Sequence, residues 1–153
     1  MIELLLTYKY LILIPFAMLE GPFVMMIGGF LVKLGYFNFI LAYAFLMIGD
    51  LISDVGWYGI GYKFGITFVK KFGRFFNITE RNVLKVENIF HRHHSKILFL
   101  SKITMGFGFA LVTLITAGLV KIPIKRYIFW NAFGGLFWTG GLMAVGFYLG
   151  DFY

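Results

Sequence analysis

Four ionisable residues lie inside apolar stretches of this sequence: Glu20, Asp50, Asp54 and Lys102. A charged side chain at the centre of a bilayer costs about 2.5–3.5 kcal/mol on insertion scales unless it is paired or wetted. Residues of this kind are therefore functional candidates. The lysine is suited to pairing with a carboxylate or to holding a lipid phosphate.

Glu20 comes at a break in the first apolar stretch, where Gly21 and Pro22 follow it. Gly21 frees the backbone, and Pro22 suits the first turn of a new helix. The positive end of that helix would point into the membrane interior and form a site for an anionic headgroup. The alternative is that Glu20 only caps a turn at the membrane interface.

Asp50 and Asp54 are four residues apart, so a helix places them on one face. Asp50 lies near the centre of the apolar stretch 36–62, which is about 40 Å long as a helix. That length exceeds a hydrocarbon core of roughly 30 Å. Asp54 is therefore either a second functional carboxylate or a residue at the interface.

Lys102 interrupts the apolar stretch 97–120. It can pair with Glu20 or hold a lipid phosphate, and the alternative is an ordinary lysine that reaches back to the interface. Because an unpaired charge at depth is unstable, we expect Glu20 and Lys102 to line one cavity, directly or through water or a lipid phosphate. Asp50 should face that cavity rather than lipid.

Three histidines, His91, His93 and His94, raise the question of a metal site. His91 and His94 share a helix face, but no third ligand of suitable type is near in sequence, so we expect no metal. The chain has no cysteine. Nothing resembles a nucleophile–base pair, a phosphate loop or a nucleotide site, so we expect no enzyme activity and no cofactor.

The composition indicates which environment holds these residues. Apolar residues make up 60% of the 153, charged residues 14%, and the mean hydropathy is +0.85. Soluble domains carry about 25% charged residues, so this chain has too little polar material to coat a globule. It is predicted to be an integral membrane protein. The start lacks the features of a removable signal peptide, and none is expected.

Two apolar stretches, 36–62 and 127–149, are long enough to span a bilayer. The stretches 4–32 and 97–120 are each broken near the middle, which is typical of re-entrant helices. Ordered matches between the halves, such as GFLVK at 29–33 with AGLVK at 117–121, indicate an ancient duplication.

These features predict one all-α membrane domain over residues 1–153. It is an inverted repeat of two re-entrant hairpins, each followed by a spanning helix, with halves at about 1–65 and 91–153 and a basic linker at 66–90. The halves have opposite orientation because each crosses the membrane an odd number of times.

Positive charge is concentrated in residues 63–96, which hold eight basic and two acidic residues. A nucleic-acid binder would not flank such a segment with two hydrophobic blocks, so no nucleic-acid partner is expected. The positive-inside bias places the segment in the cytoplasm, at a multi-pass cell membrane. Within it, residues 79–96 predict an amphipathic helix capped by Thr79, with one apolar face formed by Val83, Val86, Ile89 and Phe90.

Several motifs together resemble a known family. They are Leu19-Glu20-Gly21-Pro22 with Gly28-Gly29, then Gly49-Asp50 with Gly56-Trp57-Tyr58, then Phe90-His91-Arg92-His93 with Lys102 twelve residues after Phe90, and the closing Gly146-Phe147-Tyr148-Leu149-Gly150. With these motifs the chain resembles the DedA family of membrane proteins, which carries the VTT domain. Lys102 stands where that family usually has the first arginine of an R-F-x-P-G-x-R motif.

The resemblance implies two membrane-dipping hairpins that meet at the centre. It also implies movement of phospholipid-type carriers, such as undecaprenyl phosphate or phosphatidylethanolamine, between leaflets, driven by a proton or sodium gradient. With this resemblance we expect a lipid transporter of the flippase or scramblase type, and a homo-oligomer is left open. The expected roles are ion coupling by Glu20, Asp50 and Asp54, and lipid-phosphate binding by Lys102, Gly21 and Pro22.

Two other classes of function compete with transport. A non-transporting membrane organiser, or an assembly subunit of an envelope complex, would gain nothing from ionisable groups at depth. A membrane enzyme acting on lipids would need a nucleophile–base constellation, which the sequence lacks.

Overall fold

The computed structural model describes residues 8–75, 79–93, 96–104 and 109–152. Throughout these residues the chain is helical or in turns, and they contain no strand. The helices are α1 (Leu13–Lys33), α2 (Phe39–Phe72), α3 (Glu80–His93), α4 (Lys96–Thr104), α5 (Phe109–Leu119) and α6 (Ile124–Leu149), followed by a 3-10 turn (Gly150–Phe152). The predicted all-α class is confirmed.

Three helices, α1, α2 and α6, are long and apolar enough to cross a membrane. Of these, α2 and α6 correspond to the two predicted spanning stretches. The sequence placed the end of the apolar stretch 36–62 at Tyr62, but α2 continues to Phe72. It does so past a bend at Gly65, whose φ of +50° favours glycine over residues with a side chain.

The predicted break in the first apolar stretch is present as a kink in α1. Glu20 has φ −134° and ψ 51°, which are not helical values. Pro22 follows within the helix. Because proline has no N–H and its ring clashes with the preceding turn, helices bend at such positions. The corresponding break in the second half, near Gly106 and Gly108, lies outside the described residues.

The chain forms two compact units, each with its own apolar core. The first unit contains residues 1–53 and 135–153. Its core is formed by buried side chains of α1, α2 and α6 and of the helical residues 8–11 before α1: Tyr10, Leu13, Ala17, Met25, Ala42, Leu46 and Met143.

Residues 8–19 lie alongside α2 and run in the same direction as α2. At the start of this arm, the Tyr10 hydroxyl accepts a hydrogen bond from the Asn38 N–H at 2.8 Å. At its end, the Ser53 hydroxyl donates to the Met18 carbonyl oxygen at 3.3 Å. The contact point therefore advances from residue 38, just before α2, to residue 53 within α2 along this arm.

After the kink, α1 meets the same stretch of α2 in the opposite order. A Cβ built on Gly21 would lie 3.8 Å from Asp50 Oδ1, so this glycine is beside Asp50. Seven residues later, a Cβ on Gly28 would meet the side chain of Leu46 at 2.7 Å. The contact point on α2 thus moves backward along this arm.

The second unit contains residues 54–134. Its core joins α3, α4 and α5 to parts of α2 and α6 through buried residues: Tyr58, Val69, Val83, Val86, Phe90, Leu98, Val112, Leu114, Ile115, Ala117 and Tyr127. The helix α3 packs against α4 and α5.

The amphipathic helix predicted for residues 79–96 is present as α3. The Thr79 hydroxyl oxygen accepts a hydrogen bond from the Asn82 N–H at 3.2 Å, which confirms the predicted cap. Of the predicted apolar face, Val83, Val86 and Phe90 are buried and Ile89 is exposed. The buried part of this face packs inside the second unit.

In each unit, two glycines bring two helix backbones into contact. A Cβ at any of these glycines would overlap the carbonyl oxygen of the facing helix: Gly29 faces Met143 and Gly146 faces Met26 in the first unit, while Gly61 faces Ile115 and Gly118 faces Tyr58 in the second. Small residues at such positions allow the close packing that membrane helices use.

Candidate functional site

A buried ion pair joins α2 to α4 inside the second unit. The Lys102 ammonium donates a hydrogen bond to Asp54 Oδ2. Each side chain is only 8% exposed. Because α2 is a candidate membrane span, the pair places two formal charges in a region with little water.

The helix α6 supplies two further contacts to the same aspartate. The Asn131 side-chain amide donates to Asp54 Oδ2 at 2.5 Å. The Tyr127 hydroxyl donates to the Asp54 main-chain carbonyl at 2.7 Å. Tyr127 and Asn131 are four residues apart, so they share one face of α6. This face therefore fixes both the backbone and the carboxylate of Asp54.

A glycine on α6 makes room for the lysine side chain. A Cβ built on Gly134 would lie 3.1 Å from Lys102 Cβ and 3.3 Å from Lys102 Cγ. These distances are shorter than ordinary van der Waals contact. The aliphatic stem of Lys102 therefore passes over a position where any larger residue would displace it.

The charges of the pair compensate each other. Removing two ions from water costs several kcal/mol each, and good geometry with additional hydrogen bonds is needed to offset that cost. Here Asn131 and Lys102 donate to one carboxylate oxygen. A carboxylate in this position can take up a cation or a proton and release the lysine, whose ammonium can then bind another anion.

One hydrogen-bond acceptor beside the Asp54–Lys102 pair has no donor within the described part of the chain. Asn131 Oδ1 is buried and has no hydrogen-bond partner there, as is also true of the hydroxyls of Thr116 and Thr139. Buried polar atoms in proteins nearly always have a partner. Asn131 can therefore receive a hydrogen bond from a donor that arrives next to Asp54.

The other two predicted carboxylates lie in the first unit. Glu20 is exposed at the kink of α1. Asp50 is half-buried, and a Cβ on Gly21 or on Gly135 would lie 3.8 Å or 3.7 Å from its carboxylate oxygens. The two glycines thus flank the Asp50 carboxylate at ordinary van der Waals distances. Pro22, which follows Gly21, is half-buried.

Comparison with known protein families gives a match over most of the chain. Residues 14–148 match the family model described as the VTT domain. The match covers α1 from its second residue and nearly all of α6.

This chain belongs to the VTT-domain family.

Similar curated proteins are membrane proteins of bacteria. The chain is 29% identical over 109 residues to "Uncharacterized membrane protein Rv2637" of Mycobacterium tuberculosis, covering 68% of this chain and 48% of that protein. It is 27% identical over 109 residues to "Uncharacterized membrane protein YbfM" of Bacillus subtilis, covering 71% of this chain and 66% of that protein. The chain thus spans about half the length of the mycobacterial relative. No solved structure gives a significant match.

Within this VTT domain, the structure pairs Lys102 with Asp54, whereas the sequence pointed to Glu20 or a lipid phosphate as its partner. The sequence left open whether Asp54 lies at the membrane interface; in the structure its side chain is buried. Glu20 and Asp50 belong to the first unit and Lys102 to the second, so the shared cavity stays a prediction.

Two residues of the site escaped the sequence-based prediction: Asn131 and Tyr127. Asn131 had a detectable signal, because it is the one side-chain amide in the apolar stretch 127–149. A polar group at that depth is itself a functional candidate. Tyr127 had no such signal, since tyrosines are common at the ends of membrane spans.

A metal site can be assessed only for part of the VTT domain. Among the described residues, no group of three His, Cys, Asp or Glu side chains is placed to hold a metal ion. The side chains of His91, His93 and His94 lie outside the described residues.

Proposed function

We propose that this VTT-domain protein moves a lipid with a phosphate headgroup between the leaflets of the cell membrane, driven by a proton or sodium gradient. The candidate lipids are phospholipids and polyprenyl phosphates. The observation that carries this proposal is the buried Asp54–Lys102 pair. An ion pair at the depth of a spanning helix costs desolvation energy, and transport of a charged headgroup gives it a use.

The pair suggests how the ion and the lipid are coupled. When Asp54 takes up the coupling ion, it no longer needs Lys102 as a partner. The lipid phosphate then replaces the carboxylate at the Lys102 ammonium. Asn131 Oδ1 accepts a hydrogen bond from a donor that arrives next to Asp54. In this scheme Glu20 and Asp50 are further ion-coupling carboxylates, and Gly21 and Pro22 at the kink of α1 bind lipid phosphate.

We further propose that the fold is an inverted repeat of two re-entrant hairpins. Residues 8–19 meet α2 in one order, and the part of α1 after Glu20 meets α2 in the opposite order. This difference supports a reversal of the chain at Glu20. The recurrence of a paired glycine contact in each unit supports the duplication. Irregular backbone at membrane depth is tolerated where it is covered by protein or lines a wet cavity.

The alternative is a membrane organiser or assembly subunit that moves nothing. A scaffold of this kind is served better by apolar packing, which is often as stable as a buried ion pair of similar volume. We also propose that the protein is not an enzyme and needs no cofactor.

Lipid exchange in vesicles tests the proposal. Phosphatidylcholine vesicles containing the purified protein and a labelled phosphatidylglycerol, phosphatidylethanolamine or polyprenyl phosphate should exchange at least one of these lipids faster than protein-free vesicles, and an imposed proton or sodium gradient should increase the rate. Glu20→Gln keeps the shape and removes the charge, so it should abolish the gradient-dependent part with little loss of folded protein. If no lipid is exchanged under any gradient, the proposal is wrong.

Labelling of single cysteines tests the orientation. Asn77→Cys introduces the sole cysteine of the chain, within the basic segment 63–96. We expect a membrane-impermeant maleimide to label it in opened cells but not in intact ones, because the positive-inside bias places this segment in the cytoplasm. Tyr36→Cys, between α1 and α2, is the control that should already be labelled in intact cells. Labelling of position 77 in intact cells would contradict the assignment.

A further inference from the structure

Lys121 has a backbone conformation that is unusual for a residue with a side chain. It follows the end of α5 with a φ of +56°, and it is the one non-glycine residue with positive φ in the described part of the chain. Two hydrogen bonds close the helix there: from the Ile122 N–H to the Ala117 carbonyl at 3.1 Å, and from the Lys121 N–H to the Gly118 carbonyl at 3.0 Å. This pattern is a Schellman motif, in which glycine normally takes the left-handed position.

The end of α1 has the same motif in its usual form, with glycine in the left-handed position. There the Tyr36 N–H donates to the Leu31 carbonyl at 2.9 Å and the Gly35 N–H donates to the Val32 carbonyl at 3.0 Å. The left-handed residue is Gly35, with a φ of +79°. The same cap thus carries glycine in one place and lysine in the other. Backbone outliers of this kind are a reason to look for a function of the side chain.

The Lys121 side chain borders a cavity of about 400 Å³. The lining is Tyr58, Tyr62, Lys121, Ile122, Pro123 and Ile124. The ammonium lies 5.7 Å from the centroid of the Tyr62 ring. The Tyr58 hydroxyl donates to the Ile122 carbonyl at 2.6 Å and ties the loop to α2. The cavity therefore combines one cation, an aromatic wall and a fixed loop.

The position of the cavity indicates which ligand it fits. It lies where α6, a candidate membrane span, begins at Ile124. The ends of spans lie at the level of the lipid headgroups. Two more cationic residues, Lys125 and Arg126, follow and are exposed. Cations at this level attract the phosphate of anionic lipids, and the tyrosine and isoleucine side chains suit the glycerol and the first methylene groups.

We propose that Lys121 and this cavity form a binding site for the phosphate headgroup of an anionic phospholipid at the membrane surface. The ammonium pairs with the phosphate, and a cation–π contact with the Tyr62 ring positions the ammonium. The site belongs wholly to the second unit and is distinct from the Asp54–Lys102 pair. It requires binding only, so it stands whether or not the protein transports lipid.

The decisive variant is Lys121→Gly, because glycine is the residue that the backbone prefers there. Palmitoyl-oleoyl phosphatidylglycerol is titrated into the full-length protein in a neutral detergent, and bound lipid is counted by native mass spectrometry. We expect Lys121→Gly to weaken binding about tenfold, which corresponds to about 1.4 kcal/mol. Lys121→Arg should stay within about threefold of the parent, an expectation set by the retained charge. The melting temperature of Lys121→Gly should equal or exceed that of the parent protein.

The matched control is Lys63→Ala. Lys63 also has its ammonium over a ring, 5.6 Å from the centroid of Phe64, but it does not line the cavity. It should change phosphatidylglycerol binding by less than about twofold, as expected for a dispersed surface charge. An equal loss in Lys63→Ala, or undiminished binding in Lys121→Gly, would overturn the site. So would equal binding of phosphatidylcholine, or displacement of the lipid by millimolar inorganic phosphate, which would indicate a site for a free anion.

Discussion

Lys102→Met is expected to destabilise the folded protein by about 3–5 kcal/mol, and Asp54→Asn in the same chain is expected to restore most of that loss. The single substitution leaves the Asp54 carboxylate buried without its ammonium partner. The double variant has no formal charge left at this position, while the Asn131 and Tyr127 side chains remain to satisfy polar atoms of residue 54. The measurement is the midpoint of thermal unfolding in detergent, followed by a fluorescent reporter of exposed hydrophobic surface.

A surface ion pair in the same protein provides the control. Lys33 pairs with Asp151, and these side chains are 32% and 48% exposed. Exposed pairs contribute less than about 1 kcal/mol, so Lys33→Met should change the midpoint little. Equal losses in Lys33→Met and Lys102→Met, or no rescue in the double variant, would show that Asp54 and Lys102 do not depend on each other for charge compensation.

Stability and transport should separate in this set of variants. The double variant, Lys102→Met with Asp54→Asn, is expected to fold but not to move a phosphate-bearing lipid, because neither the cation nor the exchangeable carboxylate remains. Lys102→Arg should keep both properties, since it retains the charge. A folded double variant that exchanges lipid at the parent rate would remove Asp54 and Lys102 from the mechanism.

Length and hydropathy were sufficient to predict the membrane class and two of the three candidate spanning helices, α2 and α6. Local signals also predicted the kink at Glu20 and the Thr79 cap, because each depends on a few neighbouring residues. The partner of Lys102 could not be predicted in this way. Asp54 is 48 residues distant along the chain, and the contact depends on how α2 and α4 pack.

Periodicity shows that a helix buries one face but not what covers that face. For α3, the predicted apolar face is buried at Val83, Val86 and Phe90 but not at Ile89. The structure adds that α4 and α5 provide the packing partners. The spacing of Asp50 and Asp54 likewise predicted a shared helix side. It could not predict that Asp54 is buried against a lysine while Asp50 is half-buried beside two glycines.

Gly61→Ala and Gly59→Ala are expected to change stability in opposite directions, although both replace a glycine in the middle of α2. A Cβ on Gly61 would overlap the backbone carbonyl of Ile115, so α2 and α5 must separate. Overpacking of this kind costs about 1–3 kcal/mol. Nothing lies within 4 Å of a Cβ on Gly59, so that substitution should stabilise the helix by up to about 1 kcal/mol through backbone propensity.

The first unit allows the same comparison, and it bears on the proposed duplication. Gly146 on α6 meets the backbone of Met26, whereas a Cβ on Gly141 would meet nothing within 4 Å. If the units arose from one ancestral packing, Gly146→Ala should lower the unfolding midpoint as Gly61→Ala does, and Gly141→Ala should not lower it. Because the added methyl group is the same in all four variants, a Gly61→Ala protein as stable as Gly59→Ala would mean that the backbones of α2 and α5 are not in contact.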